Sequence, residues 1–351
     1  MSDASAGFNF LPTGIGSVPF LDVEETCRDI LNRLPSVPFW PQFVKRSHLE
    51  DMIIQPSERL PLLEIDPVKK VLFLSRSGNK EEELVRFYDR FLSRDLDYFS
   101  VSREHAPGIY ALLDLLHRAG ELEGGYIKGQ LVGPVTFAAS IRDSDGRLLL
   151  HDTEILEAMT HGLGMKALWQ VRELAKSGRS VIIFLDEPYL SGFGSAFSPI
   201  ERHDVIKILG IVIGHLREGS DALIGIHCCG NTDWSMLLEV KPDIINFDAF
   251  EYMEHFLLYR KNILRFLHEG GILAWGIVPT SALTENESVG NLSTRLEEGL
   301  HQLHGWGIEP ELLAKRSLLT PACGMGTMET AAAKKTLKLL CDLSKRFGNL
   351  R

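Results

Sequence analysis

No run of apolar residues in this 351-residue chain is long enough to cross a bilayer. The opening Met1-Ser2-Asp3-Ala4-Ser5-Ala6-Gly7 has neither a basic nor an apolar region, so no secretory signal is expected and the chain reads as cytoplasmic. Positive charge is in short supply. Lys and Arg total 37 against 47 acidic residues, a net charge of −10, which argues against a broad nucleic-acid footprint. Cysteine is scarcer still, at five residues. The number is odd, and Cys228, Cys229 and Cys323 lie in motifs while Cys27 and Cys341 sit on helical faces and read as packing. That usage excludes a disulfide framework and fits metal or catalytic chemistry in a reducing compartment. No internal repeat or low-complexity linker divides the chain, and no glycine-rich nucleotide fingerprint follows its first strand pattern.

What is present is alternation. Short β-rich runs are expected to form strands at 10–15, 37–42, 126–132, 181–185, 223–227, 244–247, 272–275 and 316–319. Helical periodicity lies between and after them, for instance over 155–177 and 337–346. Ser198-Pro199-Ile200-Glu201 supplies an N-cap, a proline at the first helical position and a capping-box acid for a helix ending near Gly219. Eight strands separated by helices predict an α/β fold, a single (β/α)8 TIM barrel over 1–351. The irregular part is 43–120, read as an elaborated segment over the barrel mouth with helices near 80–95 and 103–118.

The chemistry-bearing residues fall at the ends of these strands. Side chains at i and i+2 of a strand share a face, so His227 and Cys229 point together and Cys228 points away. Cys323, after the eighth strand, reaches the same mouth, and one imidazole with two thiols suits zinc. Asp248 or Glu251, following the sixth strand, is a candidate fourth ligand. Asp186-Glu187-Pro188 places a pair of acids after a wholly apolar strand, where burial without partners is costly. Those acids suit capture of a cationic group, such as an amine. Asp186, Glu187 and, among the remaining histidines, His255 are the catalytic candidates, with His48 a weaker one. Ile15-Gly16-Ser17 ends the first strand in a turn whose free N–H groups can receive a carboxylate. Gly133-Pro134-Val135-Thr136 forms a similar turn, and Trp275 is either an aromatic wall of the site or core.

Taken in order, Ile15-Gly16-Ser17, Gly133-Pro134-Val135-Thr136, Asp186-Glu187-Pro188, His227-x-Cys229 and Pro321-x-Cys323-Gly324 resemble the superfamily of cobalamin-independent methionine synthase and uroporphyrinogen decarboxylase. The resemblance spans almost the whole chain and is strongest to the catalytic C-terminal half of methionine synthase. It implies a zinc ion held by His227, Cys229, Cys323 and Asp248 or Glu251. It also implies that Ile15, Gly16 and Ser17 hold the homocysteine carboxylate, that Asp186 holds the amine, and that a methyl group passes to the thiol.

The donor implied is methyltetrahydrofolate or a methylated corrinoid protein. Two departures bear on it. The family's duplicated N-terminal half, which helps build the folate site, has no counterpart in these residues, and Phe137-Ala138-Ala139-Ser140 stands where the family carries a tryptophan beside the pterin. His227-Cys228-Cys229-Gly230-Asn231-Thr232 also resembles the zinc motif of methylcobamide:coenzyme M methyltransferases. Transfer to another thiol such as coenzyme M, or a non-catalytic corrinoid- or zinc-handling role, are the alternatives. Uroporphyrinogen decarboxylase itself is a poor match, because its arginine-bearing N-terminal signature is not found.

Overall fold

Runs that are apolar at nearly every position form parallel strands covered on both faces. The computed structural model describes residues 7–120, 125–194, 200–281, 283–284 and 287–348. Its strands are β1 (Leu11–Pro12), β2 (Leu63–Asp66), β3 (Val71–Leu74), β4 (Tyr126–Val132), β5 (Arg142–Asp143), β6 (Ser180–Asp186), β7 (Leu223–Cys228), β8 (Ile244–Phe247), β9 (Ile272–Val278) and β10 (Ser317–Pro321). Seven of them make one all-parallel sheet in the order β1-β10-β9-β8-β7-β6-β4. Between them run α1 (Val23–Arg33), α2 (Lys80–Leu92), α3 (Pro107–Ala119), α4 (Pro134–Ser140), α5 (Thr153–Ala175), α6 (Arg202–Gly219), α7 (Trp234–Glu239), α8 (Met253–Leu257), α9 (Arg260–His268), α10 (Val289–Gly305), α11 (Pro310–Lys315) and α12 (Thr330–Gly348). Among the described residues no helix is long and apolar enough to cross a membrane.

The result is an α/β fold with a curled, barrel-like sheet, but the closed eight-stranded barrel expected from the sequence does not form. Residues 37–42, expected as the second strand, fill the gap between the two sheet edges with isolated bridges only. Gln42 meets Ser17 on one side and Phe39 meets Lys128 on the other. Toward β4, the carbonyls of Ser36 and Pro38 accept from Tyr126 and Lys128 at 2.9 and 2.8 Å, and the Trp40 N–H donates to Lys128 at 3.2 Å. Pro38 and Pro41 have no N–H with which to extend either ladder. The seam is extended chain, not a strand.

Other expectations shift locally. The first strand shrinks to Leu11–Pro12: Asn9 and Phe10 adopt φ of 47° and 60°, which takes Phe10 out of it, and past Pro12 the Thr13 N–H still bonds the Leu319 carbonyl at 3.0 Å before the chain turns. The helix expected from Ser198 begins instead at Arg202 with Glu201 as its N-cap, Ser198 and Pro199 lying outside the described residues. Within 43–120 both expected helices are present, α3 packing on α1 and α2 on α5, so part of this segment belongs to the outer helical layer. The antiparallel β2–β3 hairpin, joined by β5 in a small three-stranded sheet, is an addition to the sequence reading.

Alternation along the strands sorts the core into two. The larger cluster fills the space between sheet and helices and includes Ile183, Leu185, Ile226, Phe247 and Trp275. The smaller lies on the inner face of the sheet and contains Phe8, Val37, Ile182, Phe184, Ile244, Ile272, Ala274 and Leu318. Gly225 is required here: a Cβ on it would stand 2.3 Å from the Phe184 ring. Two residues further along the same strands, the inward positions turn polar, with Asp186, His227, Asn246 and Thr320 all buried.

A candidate metal and thiol site at the carboxyl ends of the strands

β7 delivers His227 to the inner face and the chain carries Cys229 just past its end. The Cys228 thiol, on the opposite face, is buried with the Gly230 carbonyl 3.7 Å away, and burial pushes it up to about 12. Three strands over, a register shift at Pro321 ends β10, and the Ala322 N–H still bonds the Val278 carbonyl at 2.8 Å. Cys323 follows at once. Its sulfur, the Cys229 sulfur and a His227 ring nitrogen all lie within 4.8 Å of one another. Residues distant in sequence meet because they share one end of a parallel sheet.

The imidazole is oriented by its neighbours. Nδ1 of His227 is 2.5 Å from Oδ1 of Asn246. The Asn246 amide is itself fixed, because its Nδ2 donates to the Ala274 carbonyl and to Thr320 Oγ1, each at 2.8 Å. Oδ1 must therefore accept, so Nδ1 carries a proton whether the ring is neutral or charged, and Nε2 is the nitrogen left for a metal. That Nε2 is buried and makes no hydrogen bond of regular geometry. The two thiols share one proton: a hydrogen bond from Cys323 holds Cys229 down at about 4 against the cost of burial, with His227 helping, and the same contact drives Cys323 up. An oriented nitrogen with two polarisable sulfurs is a donor set that fits zinc.

Neither candidate carboxylate joins that trio among the described residues. Asp248 comes nearer, being buried at the end of β8 and raised to about 6 by burial, with Glu251 and Cys229 adding to the effect. Its Oδ1 accepts the N–H groups of Phe250 and Glu251, both at 2.9 Å. Glu251 is exposed.

The two acids at the end of β6 have separate lives. Asp186 is buried in register with His227, and its Oδ1 has no hydrogen-bond partner among the described residues. Burial raises it to about 6, opposed by the nearby charges of His227 and Lys128. Glu187 has no such freedom. Its oxygens accept the Val135 N–H at 3.0 Å, the Thr136 N–H at 2.7 Å and the Thr136 hydroxyl at 2.6 Å. The Gly133-Pro134-Val135-Thr136 turn is thus a cradle for this carboxylate, and a Cβ on Gly133 would overlap it at 2.2 Å.

The turn after β1 faces the same end. The Ser17 carbonyl accepts the Met325 N–H at 2.9 Å and its hydroxyl accepts the Gly326 N–H at 3.2 Å, tying the turn to the loop that carries Cys323. The N–H groups of Gly16 and Ser17 donate to nothing among the described residues.

Two other candidates are placed elsewhere. Trp275 is fully buried on the outer face of β9, with Nε1 donating to Ser317 Oγ at 3.0 Å and its ring against Phe247. His255 is exposed on α8, its ring 6.0 Å from that of Tyr252. Asn246 was not singled out from sequence, although its inward parity between Ile244 and Asp248 marks it as a polar side chain forced into the interior.

No family model and no curated protein sequence matches the chain. Solved structures do. A B12-independent methionine synthase from Shewanella sp. W3-18-1, in complex with selenomethionine, is 17% identical with a TM-score of 0.58, over 96% of this chain and 97% of that one. A putative vitamin-B12-independent methionine synthase from Listeria monocytogenes is 12% identical with a TM-score of 0.54, over the same shares. In fold the chain is methionine-synthase-like.

Proposed function

We propose that this protein is a zinc-dependent S-methyltransferase that methylates the thiol of homocysteine to give methionine. The observation that carries the reading is the convergence of the His227, Cys229 and Cys323 donors with an unpartnered Asp186 carboxylate and a turn offering free N–H groups. Zinc held by that trio, completed by Asp248 or by the substrate, would take up a thiol as its thiolate. Against a free thiol of pKa ~8.5, full ionisation at pH 7 amounts to about 30-fold, or roughly 2 kcal/mol. The remainder falls to positioning. Asp186 would hold the amine, and the Gly16 and Ser17 N–H groups the carboxylate, so that the sulfur sits at the metal with one orientation. Glu187 acts through structure, keeping α4 in place beside Asp186.

Both similar structures are described as B12-independent enzymes, which lends methyltetrahydrofolate support that a methyl-corrinoid donor lacks. Keeping Cys229 and Cys323 reduced calls for a reducing compartment, which favours the cytoplasm.

The test is an assay on protein of measured zinc content, given homocysteine with either methyltetrahydrofolate or methylcobalamin, and read as methionine formed. Zinc-dependent methionine formation with either donor supports the reading and identifies the donor. Full activity in Cys229→Ser and Cys323→Ser variants, or zinc-replete protein inert with both donors, would overturn it.

A further inference from the structure

One charged residue of the inner face has no role in what precedes. Lys128 sits mid-strand in β4, level with Ile182, and its side chain is fully buried. A lysine among apolar inward positions is expensive unless its ammonium is satisfied. Here Nζ donates to the Ile15 carbonyl at 2.6 Å and to Gln130 Oε1 at 3.3 Å, and it stands 4.4 Å from the centre of the Phe184 ring. Burial pulls the ammonium down to about 7, with the negative charge of Asp186 pulling the other way.

The groups around it are held as firmly. Gln130 Nε2 donates to the Trp40 carbonyl at 2.9 Å, and Gln170 Nε2 donates to the Gln130 carbonyl at 3.0 Å. A Cβ on Gly16 would stand 2.6 Å from Gln42 Oε1 and 2.8 Å from the Gln130 side chain, so the turn lies directly on this layer. Lys128 thus grips the first residue of the Ile15-Gly16-Ser17 turn from beneath, and its charge lies near the only acid assigned to the amine.

We propose that Lys128 is a positioning and specificity-determining residue for an α-amino-acid thiol. Its ammonium fixes the Ile15 carbonyl so that the following N–H groups face the substrate carboxylate, and supplies the buried positive charge that favours a carboxylate there. This inference rests on the homocysteine reading above and extends it to a residue that touches no substrate atom.

The test uses Lys128→Met, nearly the same shape without charge or donor, and Lys128→Gln, which keeps a donor without the charge. Folding is checked by melting temperature and zinc content. Homocysteine and propanethiol are compared as acceptors, and methionine binding is titrated calorimetrically without any donor. Loss of a charge-assisted interaction predicts about 10- to 100-fold weaker methionine binding in Lys128→Met. It also predicts a homocysteine KM that rises more than kcat falls, and a homocysteine-to-propanethiol preference reduced by about tenfold or more. Lys128→Gln is expected to fall between wild type and Lys128→Met. An equal loss with both thiols, or unchanged methionine binding, would overturn the inference while leaving the homocysteine reading intact. Wild-type protein that neither binds methionine nor prefers homocysteine would instead overturn that reading, and this inference with it.

Discussion

The inner face of the sheet is two different places. Its lower half, at the amino ends of the strands, is an apolar plug of Phe8, Ile182, Phe184, Ile244, Ile272 and Leu318, interrupted by Lys128 beside Ile182 and Phe184. Its upper half, one alternation further along the same strands, carries Asp186, His227, Asn246 and Thr320. The backbone is continuous and equally regular in both. What differs is satisfaction: Lys128 apart, the plug needs only contact, whereas the upper layer needs partners, and among the described residues Asp186 Oδ1 has none and His227 Nε2 has only the Cys229 thiol nearby. A fold that leaves buried polar atoms unpaired has lost stability there. Under the proposed function, zinc and the substrate amine would complete the pairing.

That contrast can be broken from either end. The largest effect is expected at the top: if the proposed zinc site holds, Cys229→Ser or Cys323→Ser should take purified protein from about one zinc per chain to almost none by metal analysis, with methionine formation lost. Its melting in chelator should hardly move. The reverse pattern belongs to the plug. Phe184→Ala should cost about 3–5 kcal/mol in a urea titration while the folded fraction keeps its zinc.

Asn246→Ala tests the join between the halves. Freed of its hydrogen-bonded amide, His227 loses its fixed tautomer, and zinc affinity should fall about 10- to 100-fold in a competition titration. The smallest effect is expected at Asp186. Its carboxyl is raised to about 6 by burial, so in the free protein the charge that holds an amine is present above that pH and lost below it. Methionine binding should weaken as pH falls through about 6. Asp186→Asn should bind weakly and without this acid limb, yet gain about 1 kcal/mol of stability in the metal-free protein, because an unpaired buried charge is gone.

How much of this was legible in the sequence follows from the same alternation. β4 and β8 are readable to the residue, β6 and β7 to within one residue at either end and β10 to within two, while β9 runs three residues beyond its expected end, because strands covered on both faces are apolar runs bounded by turns. The seam at 37–42 misled for a physical reason: Val37, Phe39 and Trp40 look like a strand, but ladders need N–H groups that Pro38 and Pro41 lack. The β2–β3 hairpin escaped because its strands are partly exposed and only four residues each.

In the site, the spacing of His227 and Cys229 was enough to pair them. Trp275 is left by sequence between a wall of the site and core, and its alternation with inward Ala274 and Gly276 turns it outward into the core. Glu187 could not be separated from Asp186 by composition. Only the fold shows that its carboxylate is already occupied by the N-terminus of α4.

The proline-bearing seam has a consequence of another kind. A seven-stranded parallel sheet has two open borders, here β1 and β4, and each offers unpaired peptide groups to any other chain that comes by. Residues 37–42 lie along both borders, and Pro38 and Pro41 give the seam too few donors to recruit a strand in its turn. The incomplete eighth strand thus covers both borders while leaving a ladder that another chain could not fully use. Replacing its prolines with valine would restore the two missing donors, and a seam paired along both borders would close the sheet and leave no edge.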